Sequence, residues 1–162
     1  MPNWCEGSIK VRGRFEDVVK FFKEGIHCWN VKWENDGSIS ETINPDGIEY
    51  APNEDYVEVD IKTTAHIDGT RRAFLNEQDI YINKREDGNA IAVANIRQAW
   101  GFDTESYAKI SKNYDIDIRL YGFECGMCFN QEIEIIRGEV TIDNEIKFNN
   151  YEWECPMPKM GG

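Results

Sequence analysis

Few residues in this 162-residue chain have both the type and the spacing that chemistry requires. Cys125-Gly-Met-Cys128 is the one pair of thiols at metal-ligand spacing, and a structural zinc site normally needs a second pair. Cys5, His27, Cys28 and Cys155 would supply it only if the fold gathered them, so a zinc or thiol protein using Cys125 and Cys128 stands as an alternative. A redox CxxC sits where a strand runs into a helix. Here the strand-like stretch from Phe129 to Gly138 follows instead, which reads as a hairpin corner with two packed thiols. A cysteine nucleophile such as Cys5 needs a base in reach, and His27 and His66 lie in no protease or hydrolase motif. The plainer account is that Trp4 and Cys5 pack into a core. Gly-rich phosphate loops, GxSxG elbows and HExxH are all missing from the sequence. No catalytic residue, metal ligand or cofactor is assigned, and the chain is expected to bind and not to catalyse.

Charge is the stronger signal. Lysine and arginine number 18 against 30 aspartates and glutamates, a net charge of −12 with both histidines neutral. The excess is local: residues 26–70 carry −8 and residues 101–162 carry −6, while the other two stretches are each +1. Such a surface repels nucleic acid and anionic membranes, so the expected partner is a basic protein. Along a strand, side chains two apart point the same way at about 6.6 Å, so Glu58 and Asp60, with Glu54 or Asp55 beside them, would present a phosphate-like row. Glu34, Asp36, Glu41, Asp46 and Glu49 would widen it if residues 39–50 fold alongside. An ordinary solvated strand face accounts for the same residues. A different chemistry is open to Arg71, Arg72 or Arg97. With Trp29, Trp33 and Trp100 as stacking surfaces, they could hold a nucleotide or a phosphorylated signal, since guanidinium groups pair with phosphate and stack on rings. Aromatic residues at such positions are more commonly core.

Elements that must position these groups follow from periodicity. Ile9 and Val11 alternate with Ser8, Lys10 and Arg12 as a strand, and residues 15–24 read as a helix with an apolar stripe closed by Gly25. Asn44-Pro45-Asp46-Gly47 is a turn between Ile39–Ile43 and Ile48–Tyr50, a hairpin or a loop excursion. Residues 56–61 alternate apolar and acidic as a clean strand. Strands are weaker over 72–82 and 90–98, around the turn at 85–89. A helix capped by Asp103 or Thr104 runs towards Asn113, and a four-stranded antiparallel run follows, with Asp143-Asn144 turning before Ile146. This places one helix against a sheet at each end of a single domain, residues 1–162, with an insertion-like acidic region at about 26–70. The expected fold is an α+β, ferredoxin-like sandwich: a mostly antiparallel sheet with two helices on one face.

The opening Met-Pro-Asn-Trp-Cys-Glu-Gly-Ser-Ile-Lys-Val-Arg-Gly resembles that of the YubB-type ferredoxin-like family. So does the later stretch with Gln98-Ala99-Trp100, a helix, Tyr114-Asp115-Ile116, then Phe123-Glu124-Cys125-Gly126 and Phe129. The match covers the first 25 and last 65 residues or so and leaves the acidic middle unaligned. It implies a ferredoxin-like fold and an origin in phages or plasmids, without a reaction. Joined to the charge, it leads to the expectation of a cytoplasmic, non-enzymatic inhibitor. That protein would antagonise a host antiviral nuclease, such as a CRISPR effector, by acidic mimicry of nucleic acid. A sponge for a nucleotide or phosphorylated signal is the alternative. Neither a basic leader followed by an apolar stretch nor a run long enough to span a membrane is visible in the sequence.

Overall fold

The computed structural model describes residues 2–162. Twelve strands and three helices follow in chain order: β1 (Trp4–Arg14), α1 (Phe15–Glu24), β2 (Ile26–Trp33), β3 (Ile39–Ile43), β4 (Ile48–Pro52), β5 (Tyr56–Ile61), β6 (Ala65–Ile67) and β7 (Ala73–Leu75). Then come β8 (Gln78–Lys84), β9 (Asn89–Ala99), α2 (Thr104–Tyr114), β10 (Asp117–Glu124), β11 (Phe129–Ile136), β12 (Glu139–Lys147) and α3 (Tyr151–Glu154). Every strand pairing is antiparallel.

β1 lies in the middle, paired with β10 on one side and along its whole length with β9 on the other. Beyond β9 the sheet forks. The carboxy-terminal end of β9 pairs with β7, which continues through β6, β2 and β3; its amino-terminal end pairs with β8, which continues through β5 and β4. Where β8 leaves β9, the ladder would be left open opposite Asn95. The Gln78 side chain fills it: its Oε1 accepts from the Asn95 N–H at 2.8 Å and its Nε2 donates to the Asn95 carbonyl at 2.9 Å. An unpaired backbone amide there would be a loss, and a side-chain amide reproduces the missing strand.

Alternation along the strands fixes which side is core. On β1, Cys5, Ile9 and Val11 are buried while Lys10 and Arg12 are exposed, and on β5 Val57, Val59 and Ile61 are buried between half-exposed Glu58 and Asp60. Val18, Phe21 and Phe22 of α1 and Tyr107 and Ile110 of α2 cover that buried face. The other face of the sheet is left to solvent, and it carries the candidate sites.

The expected ferredoxin-like two-helix sandwich is corrected: three short helices, of 10, 11 and 4 residues, accompany twelve strands, so the fold is a β-rich antiparallel one. Residues 26–67 supply five strands of the sheet itself. The Asn44–Gly47 turn closes no hairpin, because β3 pairs with β2 and β4 with β5. Residues 72–82 break into β7 and β8 at the fork. Asp143-Asn144 is not a turn but the middle of β12, and the run after α2 has three strands. Asp103 does precede α2, but its carboxylate takes the Ser106 hydroxyl at 2.7 Å instead of a backbone N–H. No helix among the described residues is long and apolar enough to cross a membrane.

Gly7 and Gly122 face each other across β1 and β10. A Cβ on Gly7 would meet the Tyr121 carbonyl, and one on Gly122 would meet the Cys5 sulfur and the Phe102 ring. Gly7→Ala must push a backbone aside, and a loss of about 1–3 kcal/mol is expected in urea unfolding. A second outcome concerns alkali. Burial, with a smaller contribution from Cys28, pushes the Tyr50 phenol up to about 12, and burial raises Tyr107 and Tyr151 as well. An unfolded tyrosine ionises near pH 10. Stability is therefore full below that pH and falls as pH rises from about 10 towards 12, where the unfolded chain sheds protons that the folded one keeps. Tyr50→Phe should make this alkaline limb shallower in circular dichroism. At neutral pH it should cost about 1 kcal/mol for the lost hydroxyl bond to the Phe22 carbonyl.

Candidate functional site

On the solvent face, strand register lines up one residue per strand from β10 to β2: Phe123, Glu6, Arg97, Phe74, His66 and His27. The period of two puts them there, since their neighbours Cys5, Ala73, Leu75, Ala65 and Ile67 point into the core. Above Arg97 the arginines and tryptophans collect. Arg97 stacks over the Trp4 ring at 4.9 Å, Arg72 over Trp4 at 5.5 Å and over Trp100 at 5.6 Å, and Arg71 over Trp100 at 5.3 Å.

Arg12, Arg14, Arg119 and Arg137 are ion-paired to Asp or Glu, whereas Arg71, Arg72, Arg85 and Arg97 form no ion pair among the described residues, and of these Arg71, Arg72 and Arg97 are the ones gathered on tryptophan rings. Glu6 sits opposite Arg97 in the ladder, yet its carboxylate accepts from the Gly161 N–H at 3.4 Å. The Arg97 Nε is buried without a hydrogen-bond partner. Arg72 and Trp100 both adopt left-handed backbone, at φ 53° and 63°, a conformation that costs a side-chain-bearing residue about 1–3 kcal/mol. Buried Gln98 secures this arrangement from below, accepting the Tyr107 hydroxyl at 2.9 Å and donating to the Arg71 carbonyl at 3.1 Å.

Beside Arg72 opens a cleft of about 630 Å³, lined by Trp29, Val31, Glu41, His66, Asp68 and Phe74 among others. Its wall is the β2–β3 ribbon, where register puts Trp29, Val31 and Trp33 opposite Ile43, Glu41 and Ile39 on one face. Five of those six are exposed apolar residues, with Trp33 71% accessible. On the floor, Asp68 accepts from or pairs with both histidines: its Oδ2 is 2.6 Å from His27 Nδ1 and its Oδ1 3.6 Å from His66 Nδ1.

The acidic residues divide between the two branches of the fork. Glu49, Asp60 and Asp79 lie directly opposite one another on β4, β5 and β8, and Glu58 is held next to them by the Tyr81 hydroxyl at 2.8 Å. Lys62 pairs with Glu49, and the charges of Asp60 and Asp46 help to raise its pKa. Glu54 and Asp55 occupy the β4–β5 turn. Glu34, Asp36 and Glu41, expected to widen this patch, belong instead to the β2–β3 ribbon on the other branch. There Asp36 is spent on the Ser38 hydroxyl and backbone N–H, which hold its carboxyl below the usual range.

At the expected hairpin corner, Cys125 and Cys128 are half-buried and face backbone carbonyls, those of Gly161 at 3.1 Å and Cys125 at 3.6 Å. Fully buried Glu124 shapes the turn by accepting from the Gly126 and Met127 N–H groups. No group of three or more His, Cys, Asp or Glu among the described residues could hold a metal ion. Cys5 is core, and burial, with Glu124 and Glu6 nearby, pushes its thiol up to about 12.

Sequence reasoning had marked Arg71, Arg72, Arg97, Trp29 and Trp100, and the structure brings them to one region. Trp33 lies further along the ribbon. It missed Trp4, assigned to the core with Cys5, and it gave no role to Asp68, Phe74 or the histidine pair. A signal was available: Trp4 shares the phase of Glu6 and Ser8, opposite to that of Cys5. Asp79 was missed too, because its place in the acidic row depends on a pairing between distant strands. No family model, curated protein or solved structure matches the chain, and none of these comparisons identifies a YubB-type family.

Proposed function

We propose that this protein binds a small phosphorylated ligand carrying a flat ring, of the nucleotide class, in the cleft beside Arg72, and so works as a sponge for such a signal. The observation that carries this reading is the trio Arg71, Arg72 and Arg97, stacked on Trp4 and Trp100 and left without carboxylate partners in a chain of net charge −12. A guanidinium lying on an indole keeps its N–H edge free for two phosphate oxygens. Like charges gathered this way repel each other, and an incoming phosphate removes that repulsion. Phe74 and Trp29 offer ring faces in the same cleft for the base. An origin in a phage or plasmid, implied by the resemblance, suits a protein that sequesters a host signal.

Adenosine monophosphate, inorganic phosphate and adenosine are the probes, followed by quenching of tryptophan fluorescence. The nucleotide should bind at least tenfold more tightly than either fragment. Arg72→Glu or Arg97→Gln should weaken it by a further tenfold or more, about 1.4 kcal/mol. Equal affinity for nucleotide and adenosine would remove the arginines from recognition.

A second reading is favoured by the Glu49–Asp60–Asp79 row. Like charges directly opposite on neighbouring strands are destabilising, by roughly 0.2–1 kcal/mol a pair, so the row is a cost that a merely soluble surface would avoid. Strands about 4.8 Å apart present these carboxylates as a ladder that a basic nucleic-acid channel, such as that of a CRISPR effector nuclease, would accept. On this reading the Glu58→Lys/Asp60→Lys variant loses salt-sensitive inhibition of such a nuclease while keeping the fold and its nucleotide affinity. Full inhibition by the double variant would exclude the row.

A further inference from the structure

We propose that His27 and His66, held by Asp68, form an acid–base pair that cleaves the phosphodiester bond of single-stranded RNA lying in the cleft. The proposal rests on the nucleotide-binding reading of that cleft and adds a reaction to it. Three observations meet here. His27 and His66 are direct cross-strand neighbours on β2 and β6, which puts their Cβ atoms about 5 Å apart. His27 Nδ1 is hydrogen-bonded to Asp68 Oδ2 at 2.6 Å, which orients that ring, and His66 Nδ1 lies 3.6 Å from Oδ1 of the same carboxylate, so in both rings it is Nδ1, not Nε2, that is nearest to Asp68. Both side chains remain accessible, 25% and 24%, in contact with the aromatic wall: His66 packs edge-on against Phe74 at 5.5 Å and His27 lies 6.5 Å from Trp29.

RNA suits this equipment because it carries its own nucleophile. His66, which lines the cleft, accepts the proton of a ribose 2′-hydroxyl at Nε2 as the 2′-oxygen bonds to the neighbouring phosphorus. The bond from phosphorus to the 5′-oxygen breaks, and that oxygen takes a proton from Nε2 of His27, the cross-strand neighbour of His66. The products are a 2′,3′-cyclic phosphate and a 5′-hydroxyl. One proton has been taken up and one given, and exchange with water resets the pair. Arg72, in the same cleft, opposes the charge that builds on the phosphoryl oxygens. Asp68 touches neither substrate nor reacting atoms and is a positioning residue. DNA lacks the 2′-hydroxyl and cannot react this way.

The test uses a short 5′-labelled single-stranded oligouridylate and its deoxy counterpart, each with and without a chelator, and binding is followed in parallel by tryptophan quenching. Expected are RNA fragments ending in a cyclic phosphate, unaffected by the chelator, with the deoxy strand intact. His27→Ala and His66→Ala should each slow cleavage of protein-saturated RNA by roughly a hundredfold or more. Asp68→Asn should slow it as well, and Asp68→Glu should recover part of the rate, which a purely structural role would not give. Binding of the oligouridylate without cleavage overturns the reaction and leaves the cleft a binding site. Absence of both binding and cleavage of the oligouridylate overturns this proposal alone if adenosine monophosphate still binds, and overturns the nucleotide reading with it if adenosine monophosphate does not. Cleavage at the parent rate by the His27→Ala/His66→Ala double variant, or cleavage of the deoxy strand, also overturns the proposal.

Discussion

The ladder along β9 is the constraint on which the rest of the molecule depends. Each of its backbone groups needs a partner, yet the chain supplies two different strands for its two ends, and between them Asn95 is bonded by the Gln78 side chain. That substitution lets β7 and β8 part company. Because each then gathers its own neighbours, one sheet acquires two branches without a second core. Helices on the opposite side bind both branches together: Phe21 and Phe22 of α1 and Val59, Ile80 and Ile67 belong to one buried cluster.

The fork separates the two candidate surfaces, although Glu34, Asp36, Glu41 and Asp68 also lie on the β7 branch. The branch built on β8 carries the carboxylate row of Glu49, Asp60 and Asp79, and the branch built on β7 carries His66, Phe74 and the approach to the three arginines. An overall charge of −12 says little about either, since the arginines stacked on Trp4 and Trp100 border a cleft that also carries Glu41 and Asp68, while the other branch presents an acidic row. On the two proposed readings, a ligand with phosphate and a basic protein partner would therefore address different branches of one sheet.

What could be read from the sequence was mostly local. Period-two alternation found β1, β5 and β10, and helical spacing found α1 and α2, because each of these elements has one buried and one exposed face. Pairing was not legible. The Asn44–Gly47 turn has the residues of a hairpin turn, but β3 pairs with β2 through the Glu34–Ser38 turn, and Gly47 serves a different purpose. It lies so close to Cys28 that a Cβ there would strike that side chain, and it thereby ties β4 to the other branch. The acidic residues followed the pairing: Glu41 went with β3 and Glu49 with β4, although eight residues separate them. Trp4 was lost to a composition argument, that tryptophan near cysteine is core, when the phase of its strand pointed outward.

The cleft also shows a tension between stability and binding. Burying an arginine nitrogen without a partner, placing Arg72 and Trp100 in left-handed backbone and gathering three cations all cost folding free energy, and the costs fall within one small region. The fold tolerates them because the surrounding structure over-determines the geometry: Gln98 fixes the Arg71 carbonyl, Gln131 accepts the Phe102 N–H just after Trp100, and the Trp100 N–H is tied to the Asn3 carbonyl. Those supports are themselves buried or backbone-bonded, so the strain is not relieved by small movements. On the nucleotide-binding reading, a phosphate that binds only the folded state would add stability in proportion to the logarithm of its concentration over its dissociation constant, and the repulsion it would offset is that among the three gathered arginines. Pre-organised cations that wait unpaired give up free energy before binding and recover it on binding, which is how a small site on an acidic protein can select a phosphate from solution.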